Sequence, residues 1–515
     1  VTQNFVSLIK MTKSKNCPIT FCNNDKKLLK KFQCLLNSKF PCEGSIPISE
    51  VPFKITKPGS YCVTKDFTIT SDDYAILIQA DNVILDLGGH TLTLAIDNYV
   101  GGIIIDERSN VTIKNGIIIG NHQTVGVFAN SSQNIFIENV IFDALYIGLY
   151  LLSTNNITIT NCVFQNMNVN IDEFTSFGIL NLSSSNGVIE NSFFINNNGL
   201  SSDPGFCIFF TYDDPTNVVI PSNWMVKNSQ FIDSFVSLFN VNGLLIDNIT
   251  STITDPTFNL NFIVFGRGLD RNGVMSTAND VILRNSTFTN RNAGPGFDGV
   301  LIISCNNITL DNVAIDMNAT NGDEIGAPFN ASLHFGDLVA DAIVNGAKIN
   351  KVLINNTPNI GITIEKGSTG IVIDNTVITG AQEADILILE ANNNVIKNCD
   401  LVGSNELISG NRNGIAVTGS AKNNFIVNNN ITGNGGTAIL FDADTTNNLA
   451  KNNNVVGNGA GIVDNGNNLL VDNNEFDNRN VSSQLRMMSK SKSKSKSEYT
   501  KVITPKLRET LSYKV

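Results

Sequence analysis

The side chains best suited to chemistry stand in four stretches that interrupt the rest of the sequence, at 196–223, 251–280, 290–299 and 317–348. They are Tyr212, Asp213, Asp214, Arg267, Asp270, Arg271, Asp298, Asp323, Glu324, His334 and Asp337. Paired carboxylates such as Asp213 and Asp214, with Asp298 a further candidate, can act as general acid and base on a glycosidic bond. The same carboxylates can hold Ca²⁺ together with an acidic saccharide. Tyr212, Arg267, Asp270, Arg271, Asp323, Glu324 and Asp337 would be the binding groups around them. Turn formation competes with this reading, because Asp-Pro at 203–204, 214–215 and 255–256 favours turns. No cofactor is expected beyond that compatibility with Ca²⁺. The three histidines, His90, His122 and His334, show no ligand spacing. No Gly-x-Ser-x-Gly, His-Glu-x-x-His or phosphate loop occurs.

What must position these residues is a repeat. Asn110-Val-Thr-Ile-Lys-Asn115 returns as Asn134-Ile-Phe-Ile-Glu-Asn139, Asn156-Ile-Thr-Ile-Thr-Asn161, Val281-Ile-Leu-Arg-Asn285, Ile308-Thr-Leu-Asp-Asn312 and Ile371-Val-Ile-Asp-Asn375, and continues to Leu470-Val-Asp-Asn473. Each copy alternates apolar and polar residues, reaches Asn, then begins a second apolar stretch such as Val140-Ile-Phe142. Period-two alternation marks strands, Asn marks turns, and recurrence at this length marks stacked units. The fold predicted is all-β, one parallel β-helix of about fifteen turns, or rungs, between Asp86 and Asn473. The 76 asparagines suit a ladder of side-chain hydrogen bonds along the axis.

Pro58-Gly-Ser-Tyr-Cys-Val63, Ala75-Ile-Leu-Ile78 and Asp81-Asn-Val-Ile-Leu-Asp-Leu-Gly-Gly-His-Thr-Leu92 resemble the opening rungs of the right-handed β-helix, pectin-lyase-like superfamily. The resemblance covers roughly 51–480 and extends to uncharacterised NosD-like and giant-virus β-helix proteins. It implies a right-handed coil and a structural role for His90. It does not carry an activity, since the superfamily mixes lyases, hydrolases, epimerases, adhesins and viral surface proteins. The polygalacturonase-like catalytic set is missing: Asp213-Asp214 matches one element, and Phe297-Asp298-Gly299 another only loosely. The Arg-based signature of pectate lyases and the Asp-Pro-His of alginate epimerases have no match.

Three segments are expected. Residues 1–50 form a basic Cys-rich region whose 24–37 stretch, with Leu28, Leu29, Phe32, Leu35 and Leu36 on one face, predicts an amphipathic helix capping the first rung. Residues 51–480 form the β-helix, and 481–515 a basic low-complexity tail expected to be disordered, with Ser489–Ser497 alternating Ser and Lys. Residues 1–62 carry ten Lys against three acids and 484–515 nine basic residues against two acids, so the formal net charge of −11 conceals a strongly acidic middle. An acidic surface excludes nucleic acid as the main partner of the repeat, while the tail could tether to an acidic one. Cys17, Cys22, Cys34, Cys42 and Cys62 are disulfide candidates, and Cys162, Cys207, Cys305 and Cys399 are expected as buried thiols. Phe5–Ile9 is too short for a secretion signal, no apolar span reaches 18 residues, and Met11 offers an alternative start that leaves residues 1–10 in question. Most of the twelve Asn-x-Ser/Thr sequons coincide with the repeat and argue little for glycosylation.

The sequence therefore reads as a non-catalytic structural and attachment β-helix, associated with a surface or a viral particle. Its expected partner is a glycan or protein surface, with a homo-oligomer compatible. The competing reading is a polysaccharide lyase, glycoside hydrolase or epimerase on an acidic glycan.

Overall fold

The structure, a computed structural model, describes residues 42–70, 74–95, 101–167, 176–197, 206–211, 220–238, 241–254, 263–265, 277–290, 299–317, 331–336, 343–357, 359–403 and 413–476. The helix expected at 24–37, Cys17, Cys22, Cys34 and the 481–515 tail lie outside them. The chain divides into two compact units, 1–209 and 210–515. Every strand pairing given in either unit is parallel, as the repeat requires.

In the first unit, Val83–Asp86, Ser109–Ile119, Gln133–Asp143, Asn155–Thr160 and Ser185–Glu190 stack rung on rung in one sheet. A second sheet carries Phe53–Ile55, Ile76–Ile78, Gly101–Asp106, Val125–Asn130, Ile147–Leu152 and Phe177–Leu182. Period-two alternation sends Ile113, Ile137, Ile159 and Ile189 inward in register, all at 0 % exposure. Further along the rung Phe142, Phe164 and Phe194 stack inside, with ring centroids 4.7 and 5.0 Å apart and planes within 6°. That spacing matches the roughly 4.8 Å between neighbouring strands, so identical residues on successive rungs meet face to face. Cys42 and Cys62 form a disulfide beside the first rung, where Ile46–Ile48 pairs with Gly59–Val63.

The second unit repeats the plan through Asn242–Asp247, Ala278–Asn290, Cys305–Asp316, Asn345–Asn355 and Thr369–Asp374, and on to Asn467–Val471. Ile246, Leu283, Leu310, Ile349, Ile373, Ile396 and Ile426 form its continuous inner column.

The abundance of Asn has a backbone cause as well as a side-chain one. Asn115, Asn139, Asn161 and Asn191 end successive repeats at φ of 57, 55, 52 and 50°, and Asn110, Asn134, Asn156 and Asn186 open them at 59, 55, 57 and 59°. Asn is the side-chain-bearing residue that best tolerates this left-handed region, so these corners select it. The corner side chains then bond to one another: the Asn110 amide donates to Asn82 Oδ1 at 2.8 Å, Asn134 to Asn110 at 2.8 Å, and Asn156 to Asn134 at 3.0 Å. In the second unit a buried set runs inside the turns. Asn424 donates both its backbone N–H and its side-chain amide to Asn448 Oδ1 (2.9 and 3.0 Å), and Asn429 does the same to Asn453 (3.0 Å each). In the first unit Ser shares this work, as where the Thr154 N–H donates to Ser184 Oγ at 2.9 Å, with Asn197, which accepts from the Met167 N–H at 3.2 Å.

Candidate functional site

Because strand residues alternate, each sheet has an outer face, and in the first unit that face of the second sheet is mostly apolar. In the first unit Leu77, Ile104, Phe128, Tyr150 and Leu180 stand in register on successive rungs, pointing away from the core and half-buried. The Phe128 and Tyr150 rings lie 4.9 Å apart, and Phe177 and Phe209 add a second aromatic pair at 5.4 Å. A polar rim borders the row, where the Asn130 amide donates to Asp106 at 2.8 Å. The chain passes from the strand Phe206–Thr211, which carries Phe209, directly into Tyr212, Asp213 and Asp214.

In the second unit the matching outer positions are His334, Thr363, Leu387 and Ala416, in register. Ala331, Ile360, Ala384, Leu387 and Ala416 cluster there with exposures of 1–8 %. His334 Nε2 lies 3.3 Å from Glu365 Oε1, with the two side chains 8 and 3 % exposed. A His–carboxylate pair can transfer protons, but at this burial a polymeric substrate has no approach to it.

Among the described residues the four free cysteines and Asp385 are also buried. Burial pushes the Cys162 and Cys399 thiols up to about 12, and raises Cys207 and Cys305 as well, so none offers a thiolate nucleophile at neutral pH. Burial likewise drives the Asp385 carboxyl well above its usual range, with a hydrogen bond from Asn434 acting the other way. Asp385 stands level with Gly361 and Gly414 on neighbouring rungs, at an inward position where a Cβ on Gly414 would meet Ile431 at 2.4 Å. His122 is lowered by burial, against the pull of Asp143. His90, expected to be structural, holds Asp66 through Nδ1 at 2.9 Å. Among the described residues no group of three or more His, Cys, Asp or Glu could hold a metal ion.

Tyr212, Asp213, Asp214, Arg267, Asp270, Arg271, Asp298, Asp323, Glu324 and Asp337 lie outside the described residues. Of the insertion side chains singled out from the sequence, His334 is the described one, and the structure joins it to Glu365, which sequence reasoning missed. No spacing could have found that pair, because it forms between rungs across an insertion. The outer aromatic row was legible in principle: Phe128, Tyr150 and Leu180 occupy polar positions of the alternation.

The sequence matches the right handed beta helix region family over residues 55–171, 101–264 and 342–494. No curated protein matches it. Among solved structures, a mutant of the periplasmic alginate epimerase AlgG is similar at 10% identity, covering 78% of each chain with a TM-score of 0.40. The A-module of the Azotobacter vinelandii mannuronan C-5 epimerase AlgE6 is 14% identical over 84% of this chain and 91% of its own, with a TM-score of 0.33. A tailspike protein mutant of E. coli bacteriophage HK620, solved with a pentasaccharide, is 12% identical over 80% and 72%, with a TM-score of 0.44. At these identities the likeness concerns the fold alone. With the family matched over most of its length and parallel rungs in both units, this chain belongs to the right-handed parallel β-helix proteins of the pectin-lyase-like superfamily.

Proposed function

We propose that this protein is a non-catalytic attachment protein, surface- or particle-associated, that holds a glycan against the outer face of its second sheet. The observation that carries the reading is the in-register row Leu77, Ile104, Phe128, Tyr150 and Leu180, flanked by Phe177 and Phe209. Aromatic side chains offer an apolar face suited to the CH faces of sugar rings, and here Phe128 and Tyr150 stand on adjacent rungs within a row of one apolar residue per rung. The acidic middle of the chain favours a neutral glycan over a polyanionic one.

The test is a panel of immobilised neutral and uronate glycans, probed with the native protein and a Phe128→Ala/Tyr150→Ala double variant. Capture of a neutral glycan, weakened about tenfold in the variant with an unchanged melting temperature, is the expected result, equivalent to roughly 1.4 kcal/mol. Turnover of any glycan that is lost in an Asp213→Asn/Asp214→Asn variant would move the assignment to an enzyme. Fractionation of the source material tests the location: recovery in a soluble, non-particulate fraction would oppose it.

A further inference from the structure

The first and last described rungs end differently. In the first, Ile48 and Ile55 are at 0 % exposure and Ile69 at 5 %. The last rung, made of Ala460–Asp464, Asn467–Val471 and Asn474–Phe476, is open. Its residues Ile462, Leu470 and Glu475 register with Ile439, Ala450 and Val455 on the rung before, which are all at 0 %. Leu470 is 41 % and Leu469 58 % exposed, and Ile462 is half-exposed. At the last described rung the core column thus presents apolar side chains beside two carboxylates. Asp464 accepts from the Asn468 backbone N–H at 3.2 Å and from its amide at 2.7 Å, where the preceding rungs use the next Asn. Glu475 Oε2 accepts from the Ile462 N–H at 3.2 Å, a backbone group that the next strand of a longer helix would satisfy. With Asp472 exposed nearby, the surface is apolar at the centre and acidic at its edge.

We propose that the segment 501–515 of this same chain covers that end. The charge is complementary: Lys501, Lys506, Arg508 and Lys514 against Asp464, Asp472 and Glu475. The apolar pattern fits as well, with Leu507, Leu511 and Val515 at i, i+4 and i+8 behind Thr504-Pro505, a pair suited to opening a helix. The chain between Phe476 and Lys501 is rich in Ser and Lys, and about 25 such residues span roughly 25–30 Å as a flexible coil, enough to double back over one rung. A second copy stacked end to end would instead bring two acidic rims together, which electrostatics opposes. Repeat folds require such a cover, because an open last rung exposes both core and strand edges.

Hydrogen–deuterium exchange on the full chain, on a chain ending at residue 480, and on a full-length Leu507→Asp/Leu511→Asp variant tests this. The expected result is exchange of the 460–476 amides at least tenfold slower in the full chain than in both others, independent of protein concentration, with the 437–441 strand unchanged as an internal control. Carbodiimide coupling should then join Lys506 to Glu475 or Asp464 within one chain. Equal exchange in all three proteins would overturn the proposal. So would protection that grows with concentration and gives couplings between chains, which would identify a second copy as the cover.

Discussion

At Asp385 burial and charge are in direct conflict. Its carboxyl is 1 % exposed between Gly361 and Gly414, and burial raises its proton affinity well above that of a free aspartate. The folded state therefore binds this proton more tightly than the unfolded chain does. As pH rises above about 4, where the unfolded carboxyl ionises, folding becomes progressively less favourable until the folded carboxyl also ionises. Asp385→Asn should remove that slope and raise stability at pH 7 by about 1 kcal/mol or more, measured by denaturant titration at pH 4 and pH 7. A variant with the parent's pH dependence would refute the assignment. Individual residues were the least legible part of the sequence. The Asn repeat announced turns and axial hydrogen bonds, but their left-handed backbone emerges only with the corner geometry. Asp385 carried no signal, because its inward position falls where most rungs place glycine.

At the level of elements, the inner columns hold the fold together, and stacked identical residues do so most clearly. Phe164 lies between Phe142 and Phe194 at 4.7 and 5.0 Å, so Phe164→Ala leaves a cavity open on two rungs at once. A loss of about 3–5 kcal/mol is expected in denaturant unfolding. Asn448 plays the polar counterpart: its Oδ1 accepts two bonds from Asn424 and its own amide donates to Asn468 and to the Ala421 carbonyl. Asn448→Ala should cost about 1–3 kcal/mol, since it strands buried donors on Asn424, whereas the same change at exposed Asn474 should cost under about 1 kcal/mol. Equal costs at both positions would show that the buried bonds add nothing. The strands were readable because alternation and Asn recur on every rung. The insertions were not, because their residues follow no period that stacking imposes, so composition marked where they lie without placing Asp213, Asp298 or Glu324.

On the scale of the whole molecule, charge and surface pattern bear on the partner. The basic residues gather at the two termini of the sequence and the acids between them. A glycan held by the outer row Ile104, Phe128 and Tyr150 should thus bind with little dependence on salt. An anionic glycan would bind more strongly as salt rises, because screening relieves repulsion from the acidic surface. Affinities at low and high ionic strength separate the two. The β-helix was legible from the repeat alone, and the family match agrees with it. The activity was not legible, because a rung needs only its core and corners and leaves outward positions free to serve any partner. The central claim is attachment without chemistry. It is tested most directly by incubating the native protein with each glycan it captures and determining the mass and linkage of that glycan before and after. Recovery of the glycan unchanged, with loss of capture in Phe128→Ala/Tyr150→Ala, is the predicted result. A shortened, unsaturated or epimerised product formed by the native protein would contradict it.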